Sequence, residues 1–167
     1  ELILSEMLLP RKVDFSSRPD FCVAFLGKAY PTRLHAIEAL SEISKIKVYG
    51  AAARITRHTT ATSKAQAARN FKFVLAFEND FFPGYVTEKA VEAWATGAIP
   101  LYWGSDPLGY LNQNAMINMA NFSNLEAFVK YVKEVNNSRK LWTSIAQQPI
   151  LVKRPDLETI IDFLRKR

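Results

Sequence analysis

The chain has 167 residues, of which 49% are hydrophobic, 23% charged and 12% aromatic, with 6 glycines and 8 prolines. This composition is typical of one globular domain and excludes disordered, collagen-like and low-complexity chains. Lysine and arginine (22) exceed aspartate and glutamate (16), and the resulting net charge of +6 favours anionic partners such as phosphates, nucleic acid or an acidic membrane surface. A single cysteine, Cys22, cannot form an internal disulfide or a cysteine-based zinc site, which favours a reducing compartment.

No apolar run approaches the roughly 20 residues that cross a bilayer, and residues 1–10 lack the pattern of a signal peptide. We therefore expect a chain with no transmembrane segment. Its predicted location is the cytoplasm, with peripheral attachment to the inner membrane as an option.

Strand and helix patterns alternate along the first two thirds of the chain. Continuous apolar runs predict strands that are covered on both faces, and apolar residues at three-residue steps predict helices. The helix at 32–43 has Leu34 and Leu40 on its apolar face, with Arg33 on the opposite side. The predicted elements, in order, are strand 21–26, helix 32–43, strand 46–49, helix 63–69, strand 71–77, helix 86–96, strand 99–103 and an extended piece at 116–119.

The last third predicts three packing helices, at 123–135, 139–147 and 156–165. A capping box of Ser123 and Glu126 begins the first of them. The whole pattern predicts an α/β fold, with a Rossmann-like parallel sheet and helices on both faces. We divide the chain into an N-terminal segment, 1–20, as a candidate remnant of an interdomain connection, and one compact domain, 21–167. Residues 1–9 are compatible with a helix that belongs to a neighbouring domain.

Candidate chemistry is concentrated after the strand at 71–77, where loops lead from the carboxyl ends of parallel strands into helices. Lys89 falls in the first turn of the next helix, where the helix dipole repels its charge by about 0.3–1 kcal/mol. An ion pair with Glu92 or Glu88 would explain this placement. Alternatively, Lys89 holds a phosphate together with Arg33, although Arg33 taken alone looks like an exposed helix-surface residue.

Asn79, Tyr85 and Glu88 carry groups suited to sugar hydroxyls, because amides and carboxylates offer two polar atoms in fixed geometry. Each also has a structural interpretation: Asn79 in an Asx turn, Tyr85 as a core aromatic with a wet tip. Glu78 would simply cap a neighbouring backbone group.

Other chemistries find little support. The sequence has no glycine-rich phosphate fingerprint, Walker A lysine, paired metal ligands or nucleophile elbow. Its two histidines, His35 and His58, are separated by a predicted strand, and His35 lies on the polar side of its helix. The tripeptides at Asn121 and Asn136 match glycosylation acceptors, but nothing else indicates secretion.

Three motifs together resemble one family. Phe77-Glu-Asn79, Gly84-Tyr-Val-Thr-Glu-Lys89 and Gly97-Ala-Ile-Pro-Leu-Tyr-Trp-Gly104 closely resemble the donor-binding domain of the α-1,3-fucosyltransferases of glycosyltransferase family 10. The similarity runs from Phe21 to the closing helix near Ile160. It implies the C-terminal half of a B-type glycosyltransferase that binds GDP-fucose and transfers fucose to an acceptor sugar hydroxyl with inversion.

The resemblance also implies residue roles. Arg33 and Lys89 would neutralise the diphosphate and the charge that develops on departing GDP. Asn79, Tyr85 and Glu88 would contact the ribose or the fucose, and Glu88 would stabilise positive charge at the anomeric carbon. Preplaced cations of this kind often supply the largest catalytic effect. No tightly bound cofactor is implied, and the lack of an Asp-x-Asp motif predicts no tightly held metal.

Family members have a further N-terminal domain that binds the acceptor glycan and supplies a carboxylate base, for which 167 residues leave no room. We expect the chain to be a fragment, with a base from another chain or a local acid such as Asp80 as alternatives. The absence of disulfides favours the bacterial cytosolic members, which decorate lipopolysaccharide O-antigen or related glycans. Two rival hypotheses are a transferase that uses another nucleotide sugar and a basic nucleic-acid binding module. The latter lacks the aromatic and basic stripe that it needs.

Overall fold

The computed structural model describes residues 4–50 and 61–155, with the backbone alone for residues 61–63. Its strands and helices match the predicted order. They are β1 (Asp20–Phe25), α1 (Pro31–Ser41), β2 (Ile46–Tyr49), α2 (Ala61–Ala68), β3 (Phe71–Phe77), α3 (Lys89–Ala95), β4 (Ile99–Trp103), β5 (Ile117–Asn118), α4 (Leu125–Asn137) and α5 (Arg139–Ala146). The loop at 54–60, His58 and the predicted helix at 156–165 lie outside the described residues.

The five strands form one parallel sheet in the order β2-β1-β3-β4-β5. The chain therefore adds β2 on one side of β1 and then reverses to add β3 on the other side. In sheets of this kind, ligands bind at the carboxyl edge where the order reverses, here between β1 and β3. The parallel α/β prediction is confirmed, and the topology identifies the part of the edge where a site belongs.

Apolar clusters cover both faces of the sheet, as predicted. On one face, residues of α1, α4 and α5 pack against β1 and β3, and Trp142 and Phe128 are fully buried there. On the other face, Ala68 of α2 and Trp94 of α3 lie in the second cluster. From Phe73 to Phe77, alternate residues of β3 enter opposite clusters, which explains why this part of the sequence is a continuous apolar run.

The exposed side of α1 differs from the prediction. Leu34 is 44% exposed, whereas Arg33 is only 6% exposed and shares the buried side with Ala36 and Leu40. The pattern of apolar residues missed this because the guanidinium of Arg33 finds acceptors at the end of β3, which makes burial of a charged side chain tolerable. His35 is exposed, as expected.

Two helix starts also differ from the prediction. α4 is capped by Asn124, whose side chain accepts a hydrogen bond from the Ala127 amide at 2.8 Å, so the predicted capping box was wrong. α3 begins at Lys89 rather than at residue 86, and the backbone amide of Thr87, before the helix, donates to Glu78 Oε1 at 2.9 Å.

The described part of the N-terminal segment packs on this domain. Residues 4–9 contain only the short 3₁₀ helix Glu6–Leu8, not a longer helix. Leu4, Met7 and Leu8 contact the cluster on the α3 face, and the Met7 carbonyl accepts a hydrogen bond from the Leu151 amide at 3.0 Å. The division at residue 20 stays a prediction.

Two arginines of this segment bind helix carboxyl ends. Arg11 donates to the last carbonyl of α5 (Ala146) at 2.7 Å, and its guanidinium lies 4.4 Å from the Trp94 ring centroid. Arg18 donates to the carbonyls of Phe71 at 2.8 Å and Thr96 at 2.7 Å, the latter at the end of α3. Gly97 makes room for Arg18, because a Cβ there would lie 2.0 Å from its Nη2 atom.

Candidate functional site

A cavity of about 410 Å³ lies at the carboxyl ends of β1 and β3, where the strand order reverses. Aliphatic and aromatic residues of both strands and small residues of α3 form its walls. Three of the predicted site residues, Arg33, Glu88 and Lys89, line the same cavity. The predicted cations and carboxylate are therefore brought to the place where the fold expects a ligand.

Arg33 reaches this site from the first turn of α1. Its Nε and Nη2 atoms donate to the Phe77 carbonyl at 3.2 and 2.6 Å, and Nη2 also donates to Asn79 Oδ1 at 2.7 Å. The ring of Tyr30 lies 5.3 Å from the guanidinium. Burial lowers the pKa of Arg33, and the neighbouring charge of Glu78 opposes that effect.

Lys89 reaches the site from the first residue of α3. Its ammonium lies 3.0 Å from Glu78 Oε2 and 2.7 Å from Thr87 Oγ1, and 3.8 Å from Glu88 Oε1. The predicted pair with Glu92 is absent from the ion pairs of the described residues, where Glu92 pairs with Lys64 at 3.9 Å. The side chain of Lys89 is 22% exposed and lines the cavity.

Glu78 is the residue on which these contacts converge, and the sequence suggested only a backbone cap for it. Its carboxylate accepts from the Thr87 amide at 2.9 Å, from the Thr87 hydroxyl at 2.7 Å and from Tyr102 Oη at 3.4 Å. Glu78 is 1% exposed. Burial, followed by the charge of Glu78, raises the pKa of Tyr102.

Asn79 and Tyr85 form a polar pair beside Arg33, which we call the polar rim, although neither residue lines the cavity. Asn79 Nδ2 donates to Tyr85 Oη at 3.3 Å, while Asn79 Oδ1 accepts from Arg33. Tyr85 is half-buried, and its ring lies 4.9 Å from that of Phe82. Glu88 is exposed, with its carboxylate near Lys89. All five predicted site residues thus lie in one connected neighbourhood at the carboxyl edge.

Three consecutive residues, Phe77, Glu78 and Asn79, hold both cations. The carbonyl of the first and the amide oxygen of the third bind Arg33, and the carboxylate of the second binds Lys89. The signal for Glu78 in the sequence was a carboxylate placed directly after a buried strand, but its partners could not be read from the sequence pattern.

No cluster of three or more histidine, cysteine, aspartate or glutamate side chains suited to a metal ion occurs in residues 4–50 and 64–155. Within the part of the chain that the structure describes, no helix is long and apolar enough to span a membrane. Cys22 is buried, as the sequence suggested.

A parallel sheet with helices on both faces and a charged cavity at its switch point defines the class of doubly wound, ligand-binding α/β domains. The family model described as "Glycosyltransferase family 10 (fucosyltransferase) C-term" matches residues 21–146. The chain therefore belongs to glycosyltransferase family 10, the fucosyltransferases, and the part that it matches is the C-terminal part.

Relatives and solved structures agree with this assignment. An alpha-(1,3)-fucosyltransferase of Helicobacter pylori is 30% identical over 113 residues, which cover 67% of this chain and 23% of that protein. A fucosyltransferase of Bos taurus is 29% identical over 115 residues, covering 67% of this chain and 32% of that protein. A crystal structure of alpha1,3-fucosyltransferase with GDP-fucose shares the fold, with a TM-score of 0.78 at 24% identity, covering 92% of this chain and 48% of that one. The chain thus spans less than half of each of these proteins.

Proposed function

We propose that this chain is the donor-binding half of an inverting fucosyltransferase that transfers L-fucose from GDP-fucose to an acceptor sugar hydroxyl in an α-1,3 linkage. The observation that carries the proposal is the pair of cations, Arg33 and Lys89, held at one cavity of the sheet's carboxyl edge. Family membership supports the reaction class, and a solved relative with GDP-fucose supports the donor.

The cations would act on the leaving group. When the bond between the anomeric carbon and the phosphate oxygen breaks, its electron pair leaves with GDP, and negative charge grows on the diphosphate. Arg33 and Lys89 would stabilise that charge, with little reorganisation because both are already fixed by hydrogen bonds. An anion bound between them would also offset the unfavourable interaction of each cation with the dipole of its helix.

The polar rim would orient the sugars. Asn79 and Tyr85 would exchange hydrogen bonds with hydroxyls of the ribose or the fucose, since their mutual contact of 3.3 Å is long enough to yield to a ligand. Glu88, exposed and 3.8 Å from the ammonium of Lys89, would stabilise positive charge at the anomeric carbon.

The acceptor hydroxyl would attack the anomeric carbon from the face opposite GDP, which inverts the configuration, and its proton would pass to a base. We assign that base to an N-terminal acceptor-binding domain, as the family resemblance implies. Asp80 is a poorer local alternative, because its Oδ1 atom already accepts from the Phe81 amide at 2.8 Å. A cytoplasmic location near the inner membrane and a lipopolysaccharide acceptor belong to the same proposal.

The proposal is tested by calorimetric titration of the chain with GDP-fucose, GDP-mannose, GDP, UDP and UDP-galactose, together with an assay for fucose transfer to N-acetyllactosamine. Guanine-selective binding with a preference for the fucose donor and no transfer is the expected result. Tighter binding of another nucleotide sugar would identify that compound, and not GDP-fucose, as the donor. Transfer by the chain alone would place the base among these residues.

A chelator experiment tests the predicted independence from metal. Because both cations that would neutralise the diphosphate belong to side chains, GDP affinity should be the same with and without EDTA. A loss of affinity in EDTA that added Mg²⁺ or Mn²⁺ restores would show that an ion shares this work.

A further inference from the structure

We propose that Glu78 is a positioning residue, which fixes the ammonium of Lys89 where the diphosphate of a nucleotide ligand binds. The inference rests on the proposed function and adds a residue that does not itself touch the ligand. Glu78 was outside the predicted site, and its role follows from its contacts.

The carboxylate of Glu78 joins three separate parts of the site. It binds the end of the loop through both the amide and the hydroxyl of Thr87, the start of α3 through Lys89, and β4 through Tyr102. The Thr87 hydroxyl donates to Glu78 and accepts from Lys89, each at 2.7 Å, so the ammonium has two fixed acceptors. An ammonium has one further donor, which a phosphate oxygen could accept.

The difference in exposure between Glu78 and Lys89 favours a role in positioning the ammonium over a role in stabilising the fold alone. The side chain of Glu78 is 0% exposed, whereas that of Lys89 is 22% exposed and lines the cavity. Burying a carboxylate is costly, and a buried ion pair is often no more stabilising than apolar residues of similar size. A buried anion that holds an accessible cation at a cavity wall is the arrangement that a positioning role requires.

The neighbours of Glu78 extend the same arrangement to the second cation. The Phe77 carbonyl and Asn79 Oδ1 hold Arg33, which comes from α1, while Glu78 holds Lys89, which comes from α3. One short segment after β3 therefore aligns cations from two helices. A shift of Glu78 would change the position of Lys89 relative to Arg33.

The test uses Glu78→Gln in the full 167-residue chain. The two amide orientations of glutamine direct an NH₂ group either at Lys89 and the Thr87 hydroxyl or at the Thr87 amide and Tyr102, so one set of donors always loses its acceptor. The affinities for GDP and for guanosine are measured by calorimetry. The ratio of these affinities isolates the contribution of the phosphates.

We expect the GDP-to-guanosine affinity ratio to fall about tenfold in Glu78→Gln, with guanosine affinity unchanged, as expected for a weakened charge-assisted hydrogen bond. Glu134→Gln, the same change at an exposed position of α4, should leave the ratio unchanged. In a Lys89→Ala background, Glu78→Gln should produce no further change, because its effect acts through that ammonium.

Thr87→Val provides a second variant that removes the bridging hydroxyl and keeps the backbone bond to Glu78. It should lower the same ratio, and it decides the question if Glu78→Gln does not fold. An unchanged or raised ratio in the folded variants, or an equal effect of Glu78→Gln with and without Lys89, would overturn the role of Glu78. A wild-type chain that binds GDP no better than guanosine would overturn the proposed function as well.

Discussion

The two edges of the sheet each hold a pair of cations, but in opposite electrostatic surroundings. At the amino edge, Arg11 and Arg18 donate to carbonyls at the carboxyl ends of helices, where the helix dipole favours positive charge. At the carboxyl edge, Arg33 and Lys89 lie in the first turns of α1 and α3, where the dipole opposes it.

This difference separates a pair that stabilises the fold from a pair that we propose binds a ligand. The amino-edge arginines complete the fold, because main-chain carbonyls that would otherwise be buried without donors receive their hydrogen bonds. Both pairs border a cavity, but the carboxyl-edge cations depend on the side chains of Glu78 and Asn79 for compensation. A cation placed against the local dipole beside a cavity indicates an anionic ligand more strongly than positive charge alone does.

The largest expected effect is on stability and comes from removing Arg18, one of the amino-edge pair. Arg18→Met leaves the buried carbonyls of Phe71 and Thr96 without their donor and should lower the free energy of unfolding by about 3 kcal/mol. Chemical denaturation measures this loss. Arg139→Met is the control, because Arg139 forms only an exposed pair with Asp14 at 3.8 Å. GDP affinity of folded Arg18→Met should equal that of wild type, and a large loss would show that the edges are not separable.

Removing a carboxyl-edge cation should lower the affinity for the ligand. Lys89→Ala should weaken GDP-fucose binding by about 1–3 kcal/mol, because a charge-assisted hydrogen bond to phosphate is lost. Lys133→Ala, an exposed lysine of α4, serves as the matched control in the same titration. Wild-type affinity in a folded Lys89→Ala variant would show that Lys89 pairs with Glu78 but does not contribute to ligand binding.

Several strands could be predicted residue by residue from local signals. β2, β3 and β4 have the predicted bounds, because an apolar run that ends at a turn is a local signal. Residues buried by distant partners could not be predicted in this way. Arg33 looked exposed because its acceptors, the Phe77 carbonyl at the end of β3 and Asn79 Oδ1 just after it, lie 44 and 46 positions away in the chain.

The candidate site was predicted as a set of residues but not as a network. The motif from Phe77 to Lys89 predicted that its polar side chains lie at one edge, because the carboxyl ends of parallel strands share an edge. Of the two partners predicted for Lys89, Glu88 lies 3.8 Å from its ammonium and Glu92 pairs elsewhere, whereas the shorter pair is with Glu78, 11 positions earlier. The contact depends on how the loop between β3 and α3 folds, and a periodic sequence pattern carries no information about the conformation of a loop.

The geometry of Arg33, as distinct from its charge, is tested by Arg33→Lys. Lysine keeps the positive charge but cannot donate to the Phe77 carbonyl and Asn79 through a planar fork. We expect GDP affinity to fall about fivefold to tenfold, as for the loss of one net hydrogen bond. The measurement is the same titration at two salt concentrations. Full affinity at both would show that charge alone is sufficient at this position.

The smallest expected effect concerns the rim. Tyr85→Phe removes the hydroxyl that contacts Asn79 at 3.3 Å and should weaken GDP-fucose binding by about 1 kcal/mol. Competition titrations of GDP-fucose against GDP locate the contact. A loss confined to GDP-fucose places the hydroxyl at the fucose, and an equal loss for both places it at the ribose. No loss for either ligand would remove Tyr85 from the binding site.

We propose that the carboxyl edge binds a nucleoside diphosphate through Arg33 and Lys89. The most direct measurement is calorimetric titration of the wild-type chain with GDP and with guanosine over a range of salt concentrations. We predict saturable binding of GDP that is tighter than that of guanosine and that weakens as salt increases. Equal affinities for the two ligands, or GDP binding that is insensitive to salt, would contradict the claim.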